Sequence, residues 1–256
     1  MHLISDWHGL LPYVVFAVTF VSSILSGMTG GGGGYVITPF LIAIGLTPQQ
    51  SVATIKIWAL GMDSGSITAY RSRRTKNKSL ALAMIAISVP VALATVFILR
   101  RLPNENLQLA MGWLNLLMIP ILFIKHHEVT SRRRHEILQA VGFILIISLM
   151  LLQGIFASGV GSLINVVLIA VFGVSVLETN LIKRKASLVT DIIVIAGLAG
   201  SGLINFKLGL IGAAGGLLGG YIGSKFSLHE GERFARYALM VFMVVSGIWL
   251  IVTANT

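Results

Sequence analysis

Five consecutive glycines, Gly30 to Gly34, are the residues of this 256-residue chain whose pattern points most directly at chemistry. Ser26-Gly27-Met28-Thr29 precedes them and Thr38-Pro39 follows. A glycine inside a helix costs about 1 kcal/mol relative to alanine, so a regular helix stops here. A helix restarting beyond the break would present unbonded N–H groups and the positive end of its dipole, an arrangement that holds an anion through backbone amides. Thr29, Gly30, Gly31, Gly32, Gly33 and Gly34 are therefore candidate anion ligands. Close helix packing is the competing use, but packing motifs space their glycines instead of running them together. A weaker break, Gly154 to Ser162, is followed by Asn165. Ser158, Gly159, Gly161 and Asn165 are its candidates, since hydroxyls and amides donate to an oxyanion without adding charge.

Four ionisable residues fall inside apolar runs: Lys56, Asp63, Arg184 and Asp191. A charge in hydrocarbon costs a few kcal/mol or more, so such residues face a cavity or a partner. Lys56 precedes Asp63 by seven residues, two helical turns, and Arg184 precedes Asp191 by the same interval. Each pair can bridge through water or pair with the other half of the chain. In the functional reading the cations attract an anion and Asp63 or Asp191 carries a coupling proton. In the structural reading the pairs hold helices in register. Lys183 and Lys185 are expected to snorkel at the membrane interface. His126, His127 and His135 lie in a basic loop without acidic or thiol company, so no metal site is expected. No Walker A, HExxH or GxSxG pattern occurs, so neither ATP hydrolysis nor common hydrolase chemistry has support, and no cofactor is expected.

The elements that must position these residues are membrane helices. The chain is 55% hydrophobic and 11% charged, against about 25% charged in soluble domains. Its apolar residues come in runs of about 20, the length that crosses roughly 30 Å of hydrocarbon. Long spans are expected at 11–29, 51–70, 79–99, 107–124, 137–157, 186–204, 208–226 and 235–253. Shorter stretches at 35–46 and 162–175 follow the breaks and are either short crossings or re-entrant segments. Met1 to Leu11 contains no Lys or Arg, so the first span is expected to be retained and not cleaved as a signal peptide. Cysteine is absent, which excludes disulfides. The net charge of +10 sits in loops, without the aromatic-basic interleaving of a nucleic-acid surface.

A shift of 128 residues superposes the order of events. Gly31 and Gly33 meet Gly159 and Gly161, Gly45 meets Gly173, Lys56 meets Arg184, Asp63 meets Asp191 and Asn77 meets Asn205. Weak internal symmetry of this kind typifies secondary transporters. The expected organisation is a first membrane repeat over 1–124, a basic cytoplasmic loop over 125–136 and a second repeat over 137–256. Arg71, Arg73, Arg74, Lys76 and Lys78 form one basic loop, and Lys125, Arg132, Arg133 and Arg134 another. The positive-inside rule places both in the cytoplasm, where anionic lipid head groups are available partners. In the second half the basic residues Lys225, Arg233 and Arg236 fall on the other connection, which favours inverted repeats of five crossings each.

The glycine run after an N-terminal span, the Pro39-containing segment ending at Gly45, the Ser51-Val52-Ala53-Thr54 stretch and the weaker second copy from Gly154 together resemble the TauE/SafE family of membrane permeases, also called sulfite exporters. The resemblance covers nearly the whole chain. It implies gradient-driven efflux of small sulfur anions (sulfite, sulfoacetate or other organosulfonates) across a bacterial-type inner membrane. The second half departs from the pattern: it has no second glycine run, and Val167 stands where Pro39 would repeat. An anion channel and a membrane component of a larger complex are the alternative readings. An intramembrane enzyme has little support, because the two aspartates lie in different halves and no histidine falls in a span. A homo-oligomer is compatible with the pattern.

Overall fold

Apolar stretches bounded by capping residues fold into ten helices in the computed structural model, which describes residues 9–71, 75–119, 136–157, 160–227 and 232–254. α1 (Leu11–Thr29) ends at Gly30, whose φ of 75° is the left-handed conformation that glycine takes without strain. α2 (Gly34–Ala43) closes on Gly45 at φ 103°. α3 (Pro48–Ala69) opens with a capping box between Thr47 and Gln50. α4 (Lys78–Leu99) opens with the Asn77 side chain accepting from Leu80 N, and α5 (Asn104–Leu117) follows Pro103.

The same succession recurs. α6 (Glu136–Phe156) leads to α7 (Gly161–Phe172), which ends on Gly173 at φ 59°. α8 (Val176–Leu198) opens with Ser175 accepting from Glu178 N. α9 (Phe206–Phe226) opens with Asn205 accepting from Leu208 N, and α10 (Glu232–Ala254) ends the series. The caps Thr47 and Ser175, like Asn77 and Asn205, stand 128 residues apart and close the same turn of corresponding helices. Packing follows the same exchange: α3 lies on α9 and α8 on α4, α1 lies on α9 and α6 on α4, while α3 meets α8 and α5 meets α10.

The chain is an all-α integral membrane protein. α1, α4, α6, α9 and α10 are long and apolar enough to cross a membrane. α3 and α8, at 22 and 23 residues, have the length but carry the buried charges. Leu82, Leu93, Ile144, Leu210, Val245 and Ile248 point outward, while Lys56, Asp63, Lys183, Arg184 and Asp191 are buried. This inversion of the soluble pattern is what a hydrocarbon solvent imposes. α2 and α7, at 10 and 12 residues, extend about 15 and 18 Å, roughly half the hydrocarbon thickness.

Two expected boundaries need correction. The span expected at 186–204 is α8, which begins ten residues earlier at Val176 and ends at Leu198. Lys183 and Lys185 are expected at the membrane interface, but the Ser175 cap starts the helix upstream and carries both inside it with Arg184. The span expected at 107–124 begins at Asn104, and its helix ends at Leu117.

α9 is wedged between α1 and α3 by glycines on two of its faces. A Cβ at Gly215, Gly219 or Gly223 would strike the α1 backbone at Phe16, Phe20 or Ile24. One at Gly216 or Gly220 would strike α3 at Trp58 or Met62. In return, Gly61 and Gly65 of α3 lie against the carbonyls of Ala213 and Leu217. Small residues that bring backbones together supply the van der Waals contact that drives helix association in lipid.

Candidate functional site

The two chain breaks and the middles of α3 and α8 meet around one cavity of about 70 Å³, room for a few waters or one small oxyanion. Gly30 to Gly34 line one side, and Ala157 with Gly161 the other. Both breaks are built on left-handed residues: Gly30 and Gly32 (φ 117°) in the first, Ala157 (φ 47°) in the second. α2 starts at Gly34, and in its first turn the Tyr35 and Val36 amides donate back to Gly32 O and Gly33 O at 3.0 and 3.1 Å. α7 starts at Gly161, its Leu163 amide donating back to Val160 O at 2.9 Å. Two helix N-termini therefore face the cavity, each with the positive end of its dipole.

The charges pair across the halves of the chain. Arg184 donates from Nη1 to Asp63 Oδ1 at 2.7 Å, and Lys56 Nζ lies 3.5 Å from Asp191 Oδ1. All four side chains are 6% exposed or less. Each cation thus meets the carboxylate of the other span and not the one two turns along its own helix. Arg184 also donates to Ser26 O at 3.4 Å, and its Nε has no partner among the described residues.

Lys183 corrects the sequence expectation. It is buried, 5% exposed, and lines the cavity. Its Nζ donates to Gly30 O and to Gly161 O, the latter at 3.0 Å, and so joins the two breaks. It does not snorkel because α8 turns that face inward. Lys185, two residues on, is only partly buried and reaches Thr75 Oγ1 at 3.3 Å. Gln153 and Ser187 also line the cavity. The signals for them were a glutamine in the last turn of α6, just before the second break, and a serine one turn beyond Arg184.

The other sequence candidates serve the breaks themselves. Thr29 donates to Leu25 O at 2.9 Å and to Gly31 O at 2.6 Å, folding the chain over the end of α1. Asn165 donates to Asn180 Oδ1 at 2.9 Å and to Gly30 O at 3.5 Å, behind the cavity wall. Ser158 and Gly159 lie outside the described residues, as do Arg73, Arg74, Lys125, the three histidines and Arg132 to Arg134 of the basic loops. Trp58 fixes the roof: its Nε1 donates to Ser23 Oγ at 2.8 Å, and its ring lies where a Cβ on Gly33 would stand.

Comparison with known proteins agrees with this architecture. The model of the family described as sulfite exporter TauE/SafE matches residues 15–250. The chain belongs to this family. A TauE/SafE-type chain of this length also resembles a probable membrane transporter protein of Haemophilus influenzae, 24% identical over 91% of this chain and 92% of the relative. It resembles another of Sinorhizobium, 23% identical over 94% of each chain, and one of Bacillus subtilis, 24% identical over 93% of this chain and 98% of the relative. No solved structure matches it significantly.

Proposed function

We propose that the chain is a gradient-driven secondary transporter that exports a small sulfur-containing anion, sulfite or an organosulfonate, across a bacterial-type cytoplasmic membrane. The observation that carries the reading is the convergence of two helix N-termini and three buried cations on one small cavity between the breaks. Backbone amides give a site for an oxyanion, and Lys56, Lys183 and Arg184 give it positive potential. The family description supplies sulfite and the outward direction.

The architecture supports a carrier of the inverted-repeat kind. Each half contributes five helices in the same order. If all five helices of each half cross, the halves take opposite orientations, and the swap of basic loops favours that arrangement. A second space of about 20 Å³ shares Lys56, Lys183 and Asp191 with the first, so the Lys56–Asp191 pair stands between the two. If a proton is coupled, it falls to Asp191, whose pair is the longer of the two; Asp63 is engaged by Arg184 at 2.7 Å.

The test is transport by the purified protein in liposomes. Radiolabelled sulfite or methanesulfonate should move down an imposed gradient with saturable kinetics, and Lys56→Ala and Arg184→Ala should abolish the movement while still reconstituting as folded protein. Flux that stays linear in concentration would favour a channel. Absence of flux for every sulfur anion would remove the substrate class.

A further inference from the structure

The cavity carries one more cation than it has carboxylates. Among the described residues its lining holds Lys56, Lys183 and Arg184 against Asp63 and Asp191. Two of the cations have carboxylate partners, at 3.5 and 2.7 Å. Lys183 has only the neutral carbonyls of Gly30 and Gly161. The helix ends do not correct the imbalance. α1 and α6 end at the breaks with their negative poles, while α2 and α7 begin there with their positive poles, so the half-charges of the four termini cancel. The formal charges then decide, and with both carboxylates ionised the surplus is one positive charge among buried side chains. A buried charge without a counter-ion is among the most costly arrangements in a protein.

We infer that the cavity is matched to a monovalent anion and that Lys183 is the residue that sets this charge. The inference rests on the anion-transport reading and narrows it: hydrogensulfite or a simple monosulfonate is the carried form, in preference to sulfite, sulfate or the doubly charged sulfoacetate. Two further observations agree. Arg184, which lines the same cavity, has a buried Nε without a partner among the described residues, so a donor remains for a ligand oxygen. Lys183 breaks the internal repeat, since its counterpart 128 residues earlier is Ile55. The two crossed ion pairs repeat; the third cation does not repeat and forms no ion pair among the described residues.

Dimethyl sulfone, methanesulfonate and sulfate are close in size and shape and carry zero, one and two negative charges at neutral pH. Thermal protection of the detergent-purified protein, titrated with each at constant ionic strength, should be strongest for methanesulfonate, with at least tenfold weaker apparent affinity for the other two. Lys183→Met should lose the methanesulfonate preference, and Lys183→Arg should keep it. A merely structural Lys183 would alter the baseline melting temperature in both variants and leave the charge preference of any folded protein unchanged. The wild-type series stands even if Lys183→Met does not fold. Sulfate equal to or better than methanesulfonate, with transport intact, would overturn the charge match alone. No protection by any of the three, together with no liposome flux of labelled sulfur anions, would overturn the transport reading as well.

Discussion

The crossing of the ion pairs makes a quantitative prediction that spacing along the chain would not. Asp63 and Arg184 are joined at 2.7 Å with side chains 6% and 2% exposed. At an effective dielectric of about 20 their Coulomb attraction is about 6 kcal/mol before desolvation. Removing one partner leaves the other buried and uncompensated, so Arg184→Met should destabilise by about 3–5 kcal/mol. Asp63→Asn added to it should restore most of that loss, giving a coupling energy above about 2 kcal/mol. Lys56 and Asp63 share α3 but stand two turns apart, about 10 Å along the axis. Their coupling should stay near or below about 1 kcal/mol. The assay is SDS-driven unfolding of the four proteins of each cycle from mild detergent micelles, followed by the fluorescence of the four tryptophans, of which Trp58 sits at the cavity roof. A Lys56/Asp63 coupling that exceeds the Arg184/Asp63 coupling would refute the crossed arrangement.

Three further outcomes follow from the same structure. A methyl group at Gly220 would press on Met62 O of α3, so Gly220→Ala should cost about 1–3 kcal/mol in the same unfolding assay, whereas Gly200→Ala, with open space around its Cβ position, should cost little. Thr47→Ala and Ser175→Ala each remove an equivalent helix cap and should each lower stability by about 1 kcal/mol, with nearly additive effects in the double variant, as expected of separate sites. Asp191→Asn should leave anion exchange between liposome compartments intact but make net flux insensitive to an imposed pH gradient; flux that still follows the gradient would clear Asp191 of a coupling role.

Much of the fold was legible because hydrocarbon leaves few options. Runs of about 20 apolar residues and glycine breaks at matching positions mark helices in any membrane protein. The cavity was half legible. The glycine run and the four in-span charges pointed to it, since each is costly unless something nearby repays it. The pairing was not legible: a seven-residue interval says that Lys56 and Asp63 share a helix face, but it says nothing about what that face meets. Lys183 was hidden by its neighbours. In Lys183-Arg184-Lys185 three consecutive cations put the two lysines at the membrane interface, and only the upstream cap at Ser175 shows that the helix has already begun. Once the triplet is helical, its members point in three directions, and one of them must face the interior.

The glycines of α9 have a mechanical consequence. Where backbone rests on backbone, as between α9 and both α1 and α3, no side chain can rotate aside to let one helix slide past the other. These three helices therefore behave as one stiff plate. The equivalent trio is α4, α6 and α8, and α4 has no glycine. It touches its neighbours through side chains, Thr95 against Gly154 and Val96 against Gly197, which can change rotamer as the surfaces shear. A carrier whose halves exchange roles would have two end states of equal energy only if both trios were equally stiff. On the proposed carrier reading the first trio serves as the frame and the second as the rocker, which would favour one orientation at rest. Such a bias cannot alter the final equilibrium of the solute, but it sets unequal apparent affinities on the two faces of the membrane and lets the same protein work faster in one direction than in the other.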